Sequence, residues 1–466
     1  MDEENRVKEL KEKLAFAPKH ASYVMDADGV AAADAFCEGY MSFLDEAKTE
    51  REAVKKAIEL AKSNGFREYA RGHFYGPGEK IYYNNRGKSV VLAVMGEVGL
   101  SEGARVVAAH IDSPRLDLKP TPLYEKDELA CLKTHYYGGI KKYQWTAIPL
   151  ALHGVIVRAD GKTVEVRVGE EPGDPVFTIT DLLPHLAGEQ MGKTMSSGVT
   201  GEELNVLVGS RPFADTEEAE NVKLNVLNIL FEKYGMTEAD FISAELELVP
   251  AFKAADVGFD RSMIGAYGQD DRVCAYPALM GVLDAEEPLH TTVCVLTDKE
   301  ETGSMGNTGL DSDYLFAFIR ALAKSEGLDP DETLSKSICL SADVNAAFDP
   351  DYASQFDHGN VCFLNRGVVL TKYTGARGKN STNDASAETM GRVRRMLDEA
   401  GVCWQTGEIG RVDAGGGGTV ARFVAGRNID VVDLGVPLLS MHAPFEIVAK
   451  LDVYALYQAC VEFYRS

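Results

Sequence analysis

Short runs that are apolar and β-branched at nearly every position constrain this chain more than any other feature. They are SVVLAVMG (89–96), ARVVAAH (104–110), TTVCVLTD (291–298), SICLSAD (337–343) and NIDVVDLG (428–435). A strand with one wet face alternates polar and apolar residues; a run without alternation reads as a strand buried on both faces. VCFL (361–364) reads as one more. Helix-like spacing fills 4–13, 31–46, 49–63, 313–325, 384–400 and 445–464. Strands alternating with helices predict an α/β domain on a largely parallel sheet.

Residues 114–256 have a different texture. HGVIVRADGKTVEVRVG (153–169) is two alternating runs joined at Asp160-Gly161, the signature of a hairpin. MGKTMSSGVTGEELNVLVGSRP (191–212) is loop-like and ends in another strand. The expected division is an α/β domain of 1–113 and 257–466 with a β-rich domain of 114–256 inserted into it.

With 48 Lys and Arg against 72 Asp and Glu, the net charge is −24. That excludes nucleic acid and anionic membrane surfaces as expected partners, because both need clustered cations. The eight cysteines are scattered without a C-x-x-C pair, and read as small core residues of a reducing compartment. A charged, helical amino terminus and the lack of a long apolar run make the cytoplasm the expected location.

The chemistry-bearing residues sit where strands stop. VVAAHIDSPRLD closes a strand with His110 and places Asp112 on the same side, able to hold the imidazole. LTDKEETGSMG sets Glu300 beside Glu301 at another strand end; neighbours on a strand point apart, so the pair implies two roles. GQDDRV opens a helix with Asp270, read either as a plain cap or as a ligand. Asp343 ends SICLSAD, and His442 follows a Val/Leu-rich segment; a loop cap and a histidine near a helix amino terminus are their ordinary readings. Together, hard oxygen and imidazole donors without cysteine suit zinc, cobalt or manganese rather than a zinc finger. A carboxylate bridging two ions, with an unligated glutamate beside it, would make a two-metal hydrolase. VDAGGGGTVARF (412–423) lacks the lysine of a phosphate-binding loop, and reads as backbone held close to a substrate or metal.

AAHIDSPRLDLKP, GQDDRV, TDKEETGSMGNTG, SADVNAAFDPDY and DLGVPLLSMHAP resemble, in order and spacing, the aspartyl-aminopeptidase family of dinuclear metallopeptidases. The resemblance implies an α/β/α sandwich catalytic domain with an inserted β-rich dimerisation domain. It implies two divalent ions, zinc first and cobalt or manganese as alternatives. His110, Asp270 and Asp343 would hold one, and Asp270, Glu301 and His442 the other. Glu300 would be the general base and Asp112 would orient His110. His185 in LLPHLAG would reach a neighbouring subunit's site, and Lys372 in VVLTKYTG would face the substrate. Dimers assembling into a tetrahedral dodecamer, acting on peptides, are implied as well. In aspartyl-specific members a histidine lies three residues after the ligand aspartate; here that position is Ala346, so an acidic preference is open to a broader one. The expected function is a metalloaminopeptidase of the bacterial subgroup. Its rivals are a metallo-carboxypeptidase or deacylase on the same scaffold, and a non-catalytic, metal-stabilised shell protein.

Overall fold

In the computed structural model, which describes residues 3–215 and 220–466, the apolar runs lie side by side in a nine-stranded sheet. Its middle is Thr292–Thr297, Arg105–His110, Ile338–Ser341 and Asp430–Gly435, all parallel. Ser89–Val94 joins one side antiparallel and Val368–Thr371 the other, so the parallel centre is flanked by antiparallel pairs, and the outermost pair at each edge is parallel again. Every residue of Ser89–Val94, Arg105–His110 and Thr292–Thr297 is buried.

Alternation survives in three dimensions although the sequence hides it. Val90, Leu92, Val107 and Ala109 enter one core with helices Ala27–Glu46, Glu50–Ser63, Gln269–Leu283 and Lys450–Arg465. Val91, Ala93, Val106 and Ala108 enter the other, under helices Tyr314–Ser325 and Ala421–Ala425. Both faces are covered, which is the α/β/α sandwich. Each fully buried valine contributes roughly 1.5–3 kcal/mol relative to exposure.

A second sheet uses only residues between Arg115 and Pro250. Its six strands run Thr163–Val168, Leu150–Val157, Ala244–Pro250, Arg115–Lys126, Leu129–Tyr137 and Asn205–Gly209, all antiparallel. The hairpin turns at Asp160-Gly161 as its sequence predicts; Gly161 has φ +79°. After it the chain returns through Ala255–Val257, which pairs with Met263–Ala266, and the latter pairs in turn with Glu446–Ala449. This third sheet sets Asp270 beside the segment carrying His442.

Three local expectations fail for physical reasons. VCFL makes only an isolated bridge, Cys362 to Ala347. Side chains satisfy the backbone there instead: Gln405 brackets Phe363, and Asp452 accepts from the amides of Asn365 and Gly367 at 2.6 and 2.7 Å. The last helix starts at Lys450, because Glu446–Ala449 is taken up by the third sheet. The helix expected at 384 starts at Ala387 with Ser386 as its cap, while Asp384 pairs with Lys379. All eight cysteines are free thiols, and among the described residues no helix is long and apolar enough to cross a membrane.

Candidate metal centre

The carboxyl ends of the parallel strands converge, as ligand-binding ends do in open α/β sheets. His110 is the last residue of its strand. Asp343 lies just beyond Ile338–Ser341, and Glu300 and Glu301 form a single turn after Thr292–Thr297. That turn runs between left-handed residues, Lys299 at φ +72° and Gly303 at φ +92°. The reversal lets two adjacent glutamates face the same cavity, which an extended strand forbids.

Asp270 stands at the centre. Its Oδ1 lies 3.1 Å from His110 Nε2 and its Oδ2 lies 3.2 Å from His442 Nε2. Two overlapping sets result, His110–Asp270–Asp343 and Asp270–Glu301–His442, each with donor atoms within 4.8 Å of one another. Both imidazoles are fixed in the ligating tautomer. His110 Nδ1 lies 3.0 Å from the carbonyl of Asp112, and His442 Nδ1 lies 2.7 Å from the carbonyl of Gly139. A carbonyl only accepts, so each Nδ1 donates and each Nε2 is left to face the cage.

The electrostatics are those of a cation site. Burial, with repulsion from Asp270, holds Glu301 well above the usual carboxylate range; burial and Asp271 do the same to Asp343. His442 is pushed up to about 10 against its own burial, chiefly by its contact with Asp270. Glu301 Oε1 is buried with no hydrogen-bond partner, 3.5 Å from His442 Nε2. Such an atom costs free energy unless something positive meets it. The donor set and the orphaned oxygen fit divalent ions such as zinc. Glu300 belongs to neither set, though its Oε2 is 4.0 Å from His110 Nε2; burial first, then Asp112 and Asp270, raise it to about 7.

Asp112 does more than hold His110. Its carboxylate accepts from the amides of Glu300 and Glu301 at 3.1 and 3.2 Å and from Tyr137 Oη at 2.7 Å. One aspartate therefore ties the histidine strand to the glutamate turn. Three contributors went unread in the sequence. Tyr137 ends a strand of the second sheet and Gly139 lies in the bend after it, at a distance in sequence that gave no signal. A Cβ on the intervening Gly138 would sit 3.1 Å from Glu301 Oε2, so a small residue lets that backbone close over the cage. Glu446, 1% exposed, accepts from His442 N at 2.7 Å and Asp270 N at 3.1 Å, and clamps these two backbones together. Its only signal was its place four residues after His442.

The cage opens into a cavity of about 410 Å³. Gly416, Gly417 and Gly418 line it, as expected of the glycine run, along with Arg422, Phe423 and Met441. Two predicted residues lie outside that lining. His185 is exposed on the segment between Thr163–Val168 and Asn205–Gly209, and Lys372 lines a separate recess with Tyr373 and Glu408.

Residues 43–464 match the model of the aminopeptidase I zinc metalloprotease (M18) family. A probable M18 family aminopeptidase 1 of Clostridium acetobutylicum is 49% identical over 424 residues, covering 89% of this chain and 91% of that protein. Its Thermotoga maritima counterpart is 48% identical over 441 residues, covering 93% and 95%. The crystal structure of a Thermotoga maritima M18 aminopeptidase superposes with a TM-score of 0.92 at 46% identity, covering 96% of this chain and 99% of that one. The yeast mApe1 dodecamer shares the fold, with a TM-score of 0.75 at 20% identity, covering 93% and 96%. With the family model spanning nearly the whole length, this chain belongs to the M18 family of zinc aminopeptidases.

Proposed function

We propose that this metalloaminopeptidase works through the two overlapping donor sets, with Asp270 shared between them. That sharing carries the reading: each oxygen of one carboxylate faces a different histidine. His110, Asp270 and Asp343 would hold one zinc ion, and Asp270, Glu301 and His442 the other. Metal held there would supply Lewis-acid polarisation of the scissile carbonyl and a lowered pKa for the attacking water. Glu300 takes the proton from the attacking water and passes it to the leaving amine; its carboxyl, raised to about 7, is matched to that work. Asp112 keeps His110 in the ligating tautomer and fixes the turn that presents Glu300.

The proposed division is a catalytic unit of 1–113 and 257–466 with a dimerisation domain of 114–256. Apolar side chains support self-association there: Leu183, Leu186, Met191 and Met195, flanking His185, are all more than half exposed. His185 would complete a neighbouring subunit's site, Lys372 would meet substrate, and dimers would build a tetrahedral dodecamer in the cytoplasm. Glu300→Gln tests the base. It is expected to keep two zinc ions per chain by atomic emission and to lose about 10²–10⁴-fold in kcat; a wild-type rate would sink the assignment.

A further inference from the structure

One side chain in the catalytic cavity has no assigned work. Arg422 is the only lysine or arginine among the residues that line it. Among the described residues its guanidinium makes no ion pair and no hydrogen bond; it rests over the Phe423 ring, 4.4 Å from the centroid. In a chain with 72 acidic residues against 48 basic ones, an arginine facing a cavity without a carboxylate partner is conspicuous. The aromatic contact holds the planar group in place without using its donors. Those donors form a fork whose geometry matches a carboxylate.

We infer that Arg422 is a specificity residue that binds a carboxylate of the substrate. The inference rests on the aminopeptidase reading: with the reacting end of the peptide at the cage, the rest of it extends through the same cavity. At about 410 Å³ the space is near the low end for small-ligand pockets, roughly 300–1,000 Å³, and suits a short peptide. Two carboxylates can reach a guanidinium there: the terminal carboxylate of a di- or tripeptide, or the side chain of an acidic first residue. Either would make this cavity select for charge.

The test is steady-state kinetics of the zinc-loaded enzyme as wild type, Arg422→Ala and Arg422→Lys on two substrate pairs. Leu-Ala against Leu-Ala-amide reads the terminal carboxylate, and Asp p-nitroanilide against Leu p-nitroanilide reads the side chain. Wild type is expected to favour the carboxylate-bearing member of one pair. Arg422→Ala is expected to reduce that kcat/KM ratio about 10- to 100-fold, through KM, as loss of a charge-assisted hydrogen bond does. Arg422→Lys should keep part of the ratio. The pair that responds identifies the carboxylate. Wild type without preference in either pair, or Arg422→Ala with the wild-type ratio, would overturn the inference. Cleavage of Leu p-nitroanilide by wild type upholds the aminopeptidase reading in either case; wild type cleaving none of the four overturns both.

Discussion

Two clusters of buried charge lie close together in this molecule and differ in how each is neutralised. At the seam between the two large sheets, Arg115 reaches Glu50 at 3.2 Å, Glu247 at 3.1 Å and Asp117 at 2.8 Å, while Lys88 reaches Glu50 at 3.1 Å. The chain supplies both signs: despite its burial Glu50 is held down to about 2 by Arg115 and Lys88, although burial raises Glu247 beside the same arginine. At the cage, Asp270, Glu300, Glu301 and Asp343 face two imidazoles and no lysine or arginine closer than the cavity wall. Glu301 and Asp343 are pushed up there instead. A balanced cluster is a structural joint; a cluster short of positive charge is built to receive it. The two touch at Tyr137, whose ring lies 4.0 Å under the Arg115 guanidinium and whose hydroxyl donates to Asp112.

Asp270→Asn should break the contrast most sharply. The amide keeps the shape but loses the negative charge shared by both donor sets, so both ions weaken together. Turnover should fall at least as far as for Glu300→Gln, about 10²–10⁴-fold, with zinc content falling below two per chain. Retention of both ions by the variant would show that Asp270 does not bridge.

Arg115→Met tests the other cluster. Two buried carboxylates, Glu50 and Glu247, would lose their partner, and stripping one member of a buried pair costs about 3–5 kcal/mol. The expected reading is a lower denaturation midpoint with zinc content unchanged at saturating metal. Loss of zinc without loss of stability would mean that the joint serves the cage rather than the fold.

The sequence revealed the cage better than its frame, and particular residues show why. His110, Asp343 and the glutamate pair end runs that are apolar on both faces, so periodicity located them. Asp270 and His442 stood out only in company, because a capping aspartate and a loop histidine are ordinary. Tyr137, Gly139 and Glu446 were hidden, since their roles come from sheet packing between segments far apart in sequence. VCFL misled because Gln405 and Asp452, remote in sequence, satisfy its backbone and that of the turn after it. His153 carried no visible partner either, yet it is fully buried, 2.9 Å from Glu52 and 3.3 Å from Glu170.

Glu446→Gln sharpens the comparison from inside the cage. It touches backbone amides of ligand residues and no donor atom of either set. Its loss should therefore act as that of an outer-shell partner does, about 10- to 100-fold in metal affinity. Zinc titration with a competing chelator measures this, and activity should return at saturating zinc. Failure to recover would place Glu446 closer to the chemistry.

The smallest expected effect comes from the second seam cluster. His153 sits between Glu52 and Glu170, and Lys48 and Arg167 also pair with Glu170. Burial pulls the imidazole down, but its contacts with Glu170 and Glu52 raise it above its ordinary value overall. A raised histidine contributes stability that is complete below its unfolded pKa, about 6.5, and is lost as pH rises through the folded value. Glu170 has the opposite sign: burial opposes it, yet His153 and Lys48 lower it to about 2. Its contribution is complete above the ordinary glutamate value of about 4.3 and is lost as pH falls toward 2. The cluster therefore supports the fold best between those limits, on the acidic side of neutral. Thermal unfolding from pH 5 to 9 should show wild type losing stability above about 6.5 relative to His153→Gln, which has no proton to release there. Parallel curves for the two proteins would mean that His153 stays neutral in the seam and that the joint is balanced by Lys48 and Arg167 alone.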